Sequence, residues 1–271
     1  MLKDITLGQY FPGNSFVHKL DPRVKIYGLT IFLVSIFIVK DLYMYIPLSI
    51  VLVAVIMNSK IPAKLLLNGI KSLRFIIILT FLINIIATPG EVVLKFLIFK
   101  ITREGIQFAS FMALRLIFLV TSSSLLTLTT SPIALTDGLE SIMKPLSKIG
   151  FPSHQLAMMM TIALRFIPTL FDEATKIMKS QAARGADFES GNIIKRAKNL
   201  VPLLVPLFIN SFRRADELAT AMEARCYHGG EGRTRLNALK YDRKDYITMV
   251  CITVFLVLFI LQRIFIWRTW R

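Results

Sequence analysis

Two arginines stand in matching surroundings, 41 positions apart, in a chain rich in apolar residues. Residues 180–190 read SQAARGADFES, and residues 220–230 read TAMEARCYHGG. An arginine side chain presents five donors in a planar fork, which matches a carboxylate through two parallel hydrogen bonds. The pattern therefore predicts two helix ends that each offer a guanidinium to an acidic partner. The two triplets are Ala183, Arg184 and Gly185, and Ala224, Arg225 and Cys226.

A second interpretation of each arginine is structural. A cation in the last turn of a helix complements the negative end of the helix dipole, which stabilises the helix by roughly 0.3–1 kcal/mol. That effect accounts for any single arginine at a helix end. Two long helices that both end on Ala-Arg-small favour docking onto a partner.

Residues that could perform catalysis or hold a metal are scattered. The segment GGEGRTR at 229–235 has neither the spacing nor the lysine of a phosphate-binding loop. The histidines His18, His154 and His228 show no ligand spacing, and Cys226 and Cys251 form no metal or redox motif. These residues therefore predict no metal or cofactor site in this chain.

The composition indicates a membrane protein. Of the 271 residues, 54% are hydrophobic, above the 45–50% or so that is usual in soluble domains, and the formal net charge is +16. A basic excess is common in membrane proteins because cytoplasmic loops are rich in Lys and Arg. Five apolar blocks are candidate spans, some shorter than the roughly 20 residues that cross the hydrocarbon layer. They are Val24–Val39, Leu42–Met57, Phe75–Ala87, Ile106–Thr130 and Tyr246–Gln262.

The segment between residues 131 and 245 carries 17 basic and 12 acidic residues, yet it is rich in Leu, Ile, Met and Phe. We predict three amphipathic helices at the cytoplasmic interface. They run from near Thr136 to before Gly150, from Ser153 as N-cap to Arg184, and from about Asn192 to Arg225 with kinks at Pro202 and Pro206.

The predicted fold is an all-α integral membrane protein with about five transmembrane helices and about three coupling helices, two of them long. Residues 1–130 would hold about four spans, residues 131–245 the coupling helices, and residues 246–271 a last span with a basic tail. The distribution of Lys and Arg predicts a cytoplasmic N-terminus and cytoplasmic coupling helices. Arg115, within the fourth block, is expected in the bundle interior or at the interface.

The two long helices resemble each other when Arg184 is aligned with Arg225. Three of the matched pairs recur every three residues, which places them along one helical face. The matched pairs are Phe171 with Phe212, Ala174 with Ala215, Ile177 with Leu218, and Ala183 with Ala224.

Four motifs in order make the chain closely resemble the T component, the transmembrane coupling subunit, of energy-coupling factor (ECF) transporters. HKLDPRVK resembles the Leu-Asp-Pro-Arg signature of that family, here Asp21, Pro22 and Arg23. TTSPIALTDGLESIMKPL resembles the entry to its cytoplasmic helices. MMMTIALRFIPTLFDEATKIMKSQAARG and RRADELATAMEARCYHGG resemble the helices with paired Ala-Arg-Gly motifs, except that Cys226 replaces the second glycine.

The resemblance implies a scaffold that performs no chemistry itself. Such a T component joins two cytosolic ABC ATPases, which bind ATP and Mg, to a small membrane S component that captures a vitamin or metal ion. Arg184 and Arg225 would each dock in a groove on one ATPase. The S component would contact Met158, Met159 and Met160, whose flexible thioethers suit a surface shared among partners. Packing within the protein is the other interpretation of these methionines.

Two other classes of function remain open from composition alone. A membrane protein that binds anionic lipid or nucleic acid would use its basic charge, but the charges of residues 131–245 are interspersed. A self-contained channel or membrane enzyme would need polar groups within the spans, and the blocks offer little beyond Asn84, Gln107 and Arg115.

Overall fold

The computed structural model describes residues 10–96, 99–186, 188, 193–229 and 239–269. Among these residues the chain forms two compact units, one made of residues 10–138 and 239–269 and the other of residues 139–229. We call them the bundle unit and the paired-helix unit. The boundary between them falls inside one helix, α6 (Pro132–Met143).

The bundle unit is built from apolar helices around one core. Its helices are α1 (Phe16–Lys19), α2 (Pro22–Ile38), α3 (Tyr45–Ser59), α4 (Ala63–Ala87), α5 (Arg103–Thr129) and α9 (Arg243–Thr269). A 3₁₀ turn at Leu42–Met44 leads into α3. The core brings together residues from α2, α3, α4, α5 and α9. Helices that are apolar on all sides, such as α2 and α9, can pack on this core and still face lipid. Representative members are Ile36, Leu48, Phe118 and Phe259.

All five predicted apolar blocks are helical. Within the described residues, four helical segments are long and apolar enough to cross a membrane: Leu42–Ser59, Ala63–Ala87, Arg103–Thr129 and Arg243–Phe265. The remaining block forms α2, which has 17 residues and is therefore about 25 Å long, slightly less than a hydrocarbon core of about 30 Å. The chain is thus a multi-pass, predominantly helical membrane protein.

Two features of the bundle unit differ from the sequence prediction. The third block was predicted to begin at Phe75, but α4 begins at Ala63 because Lys64, Lys71 and Arg74 lie on its exposed side and do not interrupt it. The connection from α4 to α5 contains an antiparallel hairpin of β1 (Val92–Phe96) and β2 (Phe99–Thr102). Hairpin pairing joins residues across a turn, and the short apolar run here was not recognisable as a strand.

Arg115 is half-buried in α5, as expected for a charged residue of the bundle. Its guanidinium carbon lies 4.7 Å from the centre of the Phe111 ring and 5.5 Å from that of Phe37. Its Nη2 atom is 3.5 Å from the carbonyl oxygen of Val39, the C-cap residue of α2. The arginine therefore places positive charge at the negative end of a helix dipole and against two aromatic faces.

The paired-helix unit contains two helices of 31 residues, α7 (Ser153–Ala183) and α8 (Ile193–Glu223). The preceding helix α6 (Pro132–Met143) continues as a 3₁₀ turn at Lys144–Ile149 and ends at Gly150 in the left-handed conformation. The three predicted helices are present. One detail was wrong: the N-cap position of α7 is Pro152, and Ser153 is the first helical residue. The predicted start at Asn192 lies outside the described residues.

The helices α7 and α8 run antiparallel. Near the start of α7, Met158 accepts a hydrogen bond from the hydroxyl of Tyr227, just beyond the end of α8. Further along α7, Glu173 contacts Asn210 and Arg214 in the middle of α8. As residue numbers rise along α7, the numbers of the residues that they contact in α8 fall, which defines an antiparallel pair.

Candidate functional site

The ends of α7 and α8 are closed by the same backbone motif. At the end of α7, the N–H of Gly185 donates to the carbonyl of Ala182, and the N–H of Ala186 donates to that of Gln181, both at 3.0 Å. This pair of bonds defines a Schellman cap, which satisfies carbonyl groups that have no partner inside the helix. Arg184 is the C-cap residue of the motif.

The end of α8 repeats the arrangement atom for atom. The N–H of Cys226 donates to the carbonyl of Glu223 at 2.8 Å, and the N–H of Tyr227 donates to that of Met222 at 3.1 Å. Arg225 therefore occupies the position that Arg184 occupies at the end of α7. The two Ala-Arg-small triplets therefore share the same backbone hydrogen bonds as well as a similar sequence.

The small residue after each arginine has a backbone role. A Schellman cap requires a left-handed residue at the position after the C-cap, and glycine adopts that conformation without steric cost. Gly185 has φ of +89°, and Cys226 has φ of +55°. The cysteine thus maintains the cap, although an L-residue with a Cβ atom is disfavoured in this region by roughly 1–2 kcal/mol.

All six residues of the two predicted docking triplets are solvent-exposed. The guanidinium groups are therefore available to a partner. Because α7 and α8 are antiparallel, Arg184 and Arg225 lie at opposite ends of the pair. The two guanidinium groups therefore lie on separate surfaces of the paired-helix unit.

The methionines of α7 have unequal environments. Met158 is half-buried, and its sulfur accepts a hydrogen bond from the Tyr227 hydroxyl at 3.0 Å. Met159 and Met160 are 57% and 43% exposed. The three residues predicted as a partner surface therefore divide into one that packs within the unit and two that are open. An open groove of about 410 Å³ beside Met158 is lined by residues of α7 and by the Arg225 cap, including Ile162, Met222, Arg225 and His228.

The Asp21-Pro22-Arg23 motif begins α2 in the bundle unit. Asp21 is the N-cap residue, and its carboxylate accepts hydrogen bonds from the backbone N–H and the guanidinium of Arg23 at 2.8–3.0 Å. Pro22 fits the first helical position, where no N–H is needed. The Arg23 guanidinium carbon also lies 3.8 Å from the centre of the Tyr241 ring. The motif thus fixes the start of a helix.

Sequence reasoning missed Asp245, which connects this motif to α9. Its side chain is buried, with Oδ1 accepting the N–H of Asp21 at 2.9 Å and Oδ2 accepting that of Asp242 at 2.8 Å. The second bond is half of a capping box, because Asp245 is three residues after the residue that precedes α9. The sequence did contain a signal for this role, because Asp245 is an acidic residue three positions after Asp242 and directly before an apolar block.

Metal-binding chemistry has no assembled site among the described residues: no group of three or more His, Cys, Asp and Glu side chains is placed to hold an ion. The features that do stand out are an apolar multi-helix bundle and two capped helices with exposed arginines. Together they define a multi-pass helical membrane protein with two similarly capped long helices.

Comparisons with known proteins give the family. The cobalt transport protein family CbiQ matches residues 13–236. The energy-coupling factor transporter transmembrane protein EcfT of Clostridium kluyveri is 57% identical over 266 residues, which cover 97% of this chain and 98% of that protein. The proteins of the same name from Acidaminococcus fermentans and Bacillus subtilis are 55% and 43% identical, each over 97% of this chain and 98% and 100% of theirs. The chain belongs to this family and is a transmembrane component of an energy-coupling factor transporter.

Proposed function

We propose that this chain couples two cytosolic ABC ATPases to a membrane S component, with Arg184 docked in one ATPase and Arg225 in the other. The observation that carries the proposal is the pair of identical helix caps, each holding one exposed arginine, at opposite ends of α7 and α8. ATP and Mg are bound by the ATPases. This chain transmits their motion and catalyses no reaction.

Charge complementarity explains why arginine is suited to the docking position. A carboxylate in the ATPase groove would pair with the guanidinium fork, and the exposed small residues Ala183, Gly185, Ala224 and Cys226 would let the groove wall approach closely. Because Arg184 and Arg225 lie at opposite ends of the helix pair, each can contact a different ATPase subunit. Motion of either subunit is then applied to the end of a long helix.

The S component is proposed to contact the exposed methionine surface, Met159 and Met160. Met158 is excluded from this surface because its sulfur is engaged by Tyr227. Unbranched thioether side chains repack at low cost, which suits successive partners that carry different vitamins or metal ions.

The test is affinity capture of the ATPases by the membrane-extracted chain after co-expression. Arg184→Glu should weaken capture of one ATPase and Arg225→Glu that of the other. Reversing a charge in a partly desolvated pair costs about 2–5 kcal/mol, which is roughly one to three powers of ten in affinity. In the same experiment, Met159→Ala with Met160→Ala should reduce recovery of the S component and leave recovery of both ATPases unchanged.

The matched control for α7 is Lys179→Glu, which makes the same charge change at an exposed position five residues before the tip. Arg213→Glu serves the same purpose in α8. Capture should be close to that of the parent in both controls. If the tip variants retain both ATPases, or if the controls lose them equally, docking through the arginines is wrong.

A further inference from the structure

A polar cluster joins α7 to α8 between the two tips. Glu173 Oε2 lies 3.0 Å from Arg214 Nη2, and Glu173 Oε1 accepts a hydrogen bond from the side-chain amide of Asn210. The Arg214 contact is an ion pair by distance and not a well-aligned hydrogen bond. The side chains of Glu173 and Arg214 are 17% and 37% exposed. An exposed pair on α8, Arg213 with Glu217, is 72% and 69% exposed at 3.8 Å. The cluster is therefore much better shielded from solvent than an ordinary surface ion pair.

The two charged residues of the cluster occupy equivalent positions. Glu173 is eleven residues before Arg184, and Arg214 is eleven residues before Arg225. When equivalent positions of two antiparallel helices contact each other, a local two-fold axis passes between them. The two arginine tips are therefore placed symmetrically about the cluster. At a rise of 1.5 Å per residue each tip lies about 16 Å from it, so the tips are roughly 30 Å apart.

The segments from the cluster to the tips are continuous helix. The prolines inside the long helices, Pro168 in α7 and Pro202 and Pro206 in α8, all precede the cluster in their own helix. A proline removes a helical hydrogen bond and allows a kink. The two tip segments, 173–184 and 214–225, contain none. Each should therefore move as a stiff arm, with bending confined to the proline-containing parts.

We propose that Glu173, Asn210 and Arg214 form a pivot that fixes where the two arms cross and so sets one separation of the two tips in the isolated chain. Two identical helices would place like charges together at this symmetric position. Here the equivalent residues, Glu173 and Arg214, carry opposite charges, so they attract each other and favour one register of α7 against α8. The proposal rests on the proposed docking function, because the pivot matters for transport only if both tips carry ATPases. The three residues are positioning residues: they act through the arms and touch no ATPase.

The separation of the arms can be measured directly. Nitroxide labels at Ser180→Cys and Ala221→Cys occupy exposed, equivalent positions one turn before each arginine. The native cysteines are removed as Cys226→Gly, which fits the left-handed position, and Cys251→Ala. Pulsed electron–electron double resonance on the isolated chain in nanodiscs then reports the distance distribution between the arms. We expect one narrow distribution.

Breaking the pivot should broaden that distribution. Glu173→Gln and Arg214→Gln each remove one charge at nearly constant size. The double variant Glu173→Arg with Arg214→Glu restores the pair with reversed sign and should return a narrow distribution. Glu217→Gln removes the exposed pair instead and should change nothing. An unchanged distribution in both single variants, with folding verified by thermal unfolding, would overturn the pivot.

A functional measurement separates the pivot from the docking proposal. Glu173→Gln should capture both ATPases as the parent does, while uptake of the vitamin bound by the co-purified S component falls by about fivefold or more, a coupling effect of ordinary size. The reversed-charge pair should recover uptake. Loss of ATPase capture in Glu173→Gln would show a docking or folding role and contradict the pivot. Normal uptake in Glu173→Gln would contradict it as well. Failure of the Arg184→Glu and Arg225→Glu variants to lose capture would instead refute docking.

Discussion

Each arginine at a helix tip has two compatible roles. As C-cap residues, Arg184 and Arg225 place positive charge at the negative end of a dipole, and in the proposed docking their exposed guanidinium groups would each pair with a carboxylate. Lysine would preserve the first role and lose the second. Arg184→Lys and Arg225→Lys should therefore leave the helices as stable as in the parent, and any loss of ATPase capture in these variants reports the fork alone.

Cys226 gives a prediction at the same scale. Cys226→Gly should retain ATPase capture, because glycine adopts the left-handed conformation freely. Cys226→Val should lower the free energy of unfolding by about 1–2 kcal/mol and weaken capture of the ATPase that binds Arg225, since a branched Cβ opposes a positive φ. Thermal unfolding and affinity capture measure the two effects. Cys251→Val, an exposed mid-helix change in α9, is the control. If Cys226→Val matched the parent in unfolding free energy and in ATPase capture, the left-handed conformation at residue 226 would not determine how Arg225 is presented.

At the scale of elements, the starts of α2 and α9 are tied by one buried carboxylate. Asp245→Ala removes acceptors from the backbone N–H groups of Asp21 and Asp242 and leaves the first of them buried without a partner. Losing two charge-assisted bonds and stranding a donor should cost about 2–4 kcal/mol of stability. Thermal unfolding of the purified protein should show this loss, while Asp242→Asn at the exposed helix start should stay near the parent. Equal unfolding temperatures for Asp245→Ala and the parent would show that the Asp245 carboxylate does not stabilise the contact between the starts of α2 and α9.

The sequence predicted helices and their ends better than it predicted contacts between them. The ends near Arg184 and Arg225 were recognisable because capping depends on adjacent residues, and the apolar blocks because burial in lipid requires long apolar runs. The bond from Asp21 to Asp245 joins residues 224 positions apart, and no local pattern encodes it. The same holds for the Glu173–Arg214 pair, whose equivalence became visible only after the helices were seen to be antiparallel. The apolar block marked only Phe75–Ala87 of α4, because the earlier turns of that helix carry basic residues on one exposed side.

At the scale of the whole molecule, the proposed orientation follows from the distribution of basic residues and places the paired helices in the cytoplasm. It is tested with single cysteines in a chain that lacks Cys226 and Cys251. Ser180→Cys should be protected from a membrane-impermeant thiol reagent in intact cells, and Glu91→Cys, in the connection between α4 and α5, should react. Labelling after permeabilisation shows that both thiols are accessible in principle. The opposite pattern in intact cells would require the inverted orientation.

In the proposed function, motion of the two ATPases enters this chain through Arg184 and Arg225. The most direct measurement is ATP-driven vitamin uptake by proteoliposomes that contain the chain, its ATPases and its co-purified S component, compared between the parent and Arg184→Glu with Arg225→Glu. We expect uptake in the double variant to fall to the level seen without ATP, and the ATPases to be lost from the complex, while Lys179→Glu with Arg213→Glu supports uptake like the parent. ATP-driven uptake at the parent rate by the double tip variant would contradict the account and leave both arginines as helix caps.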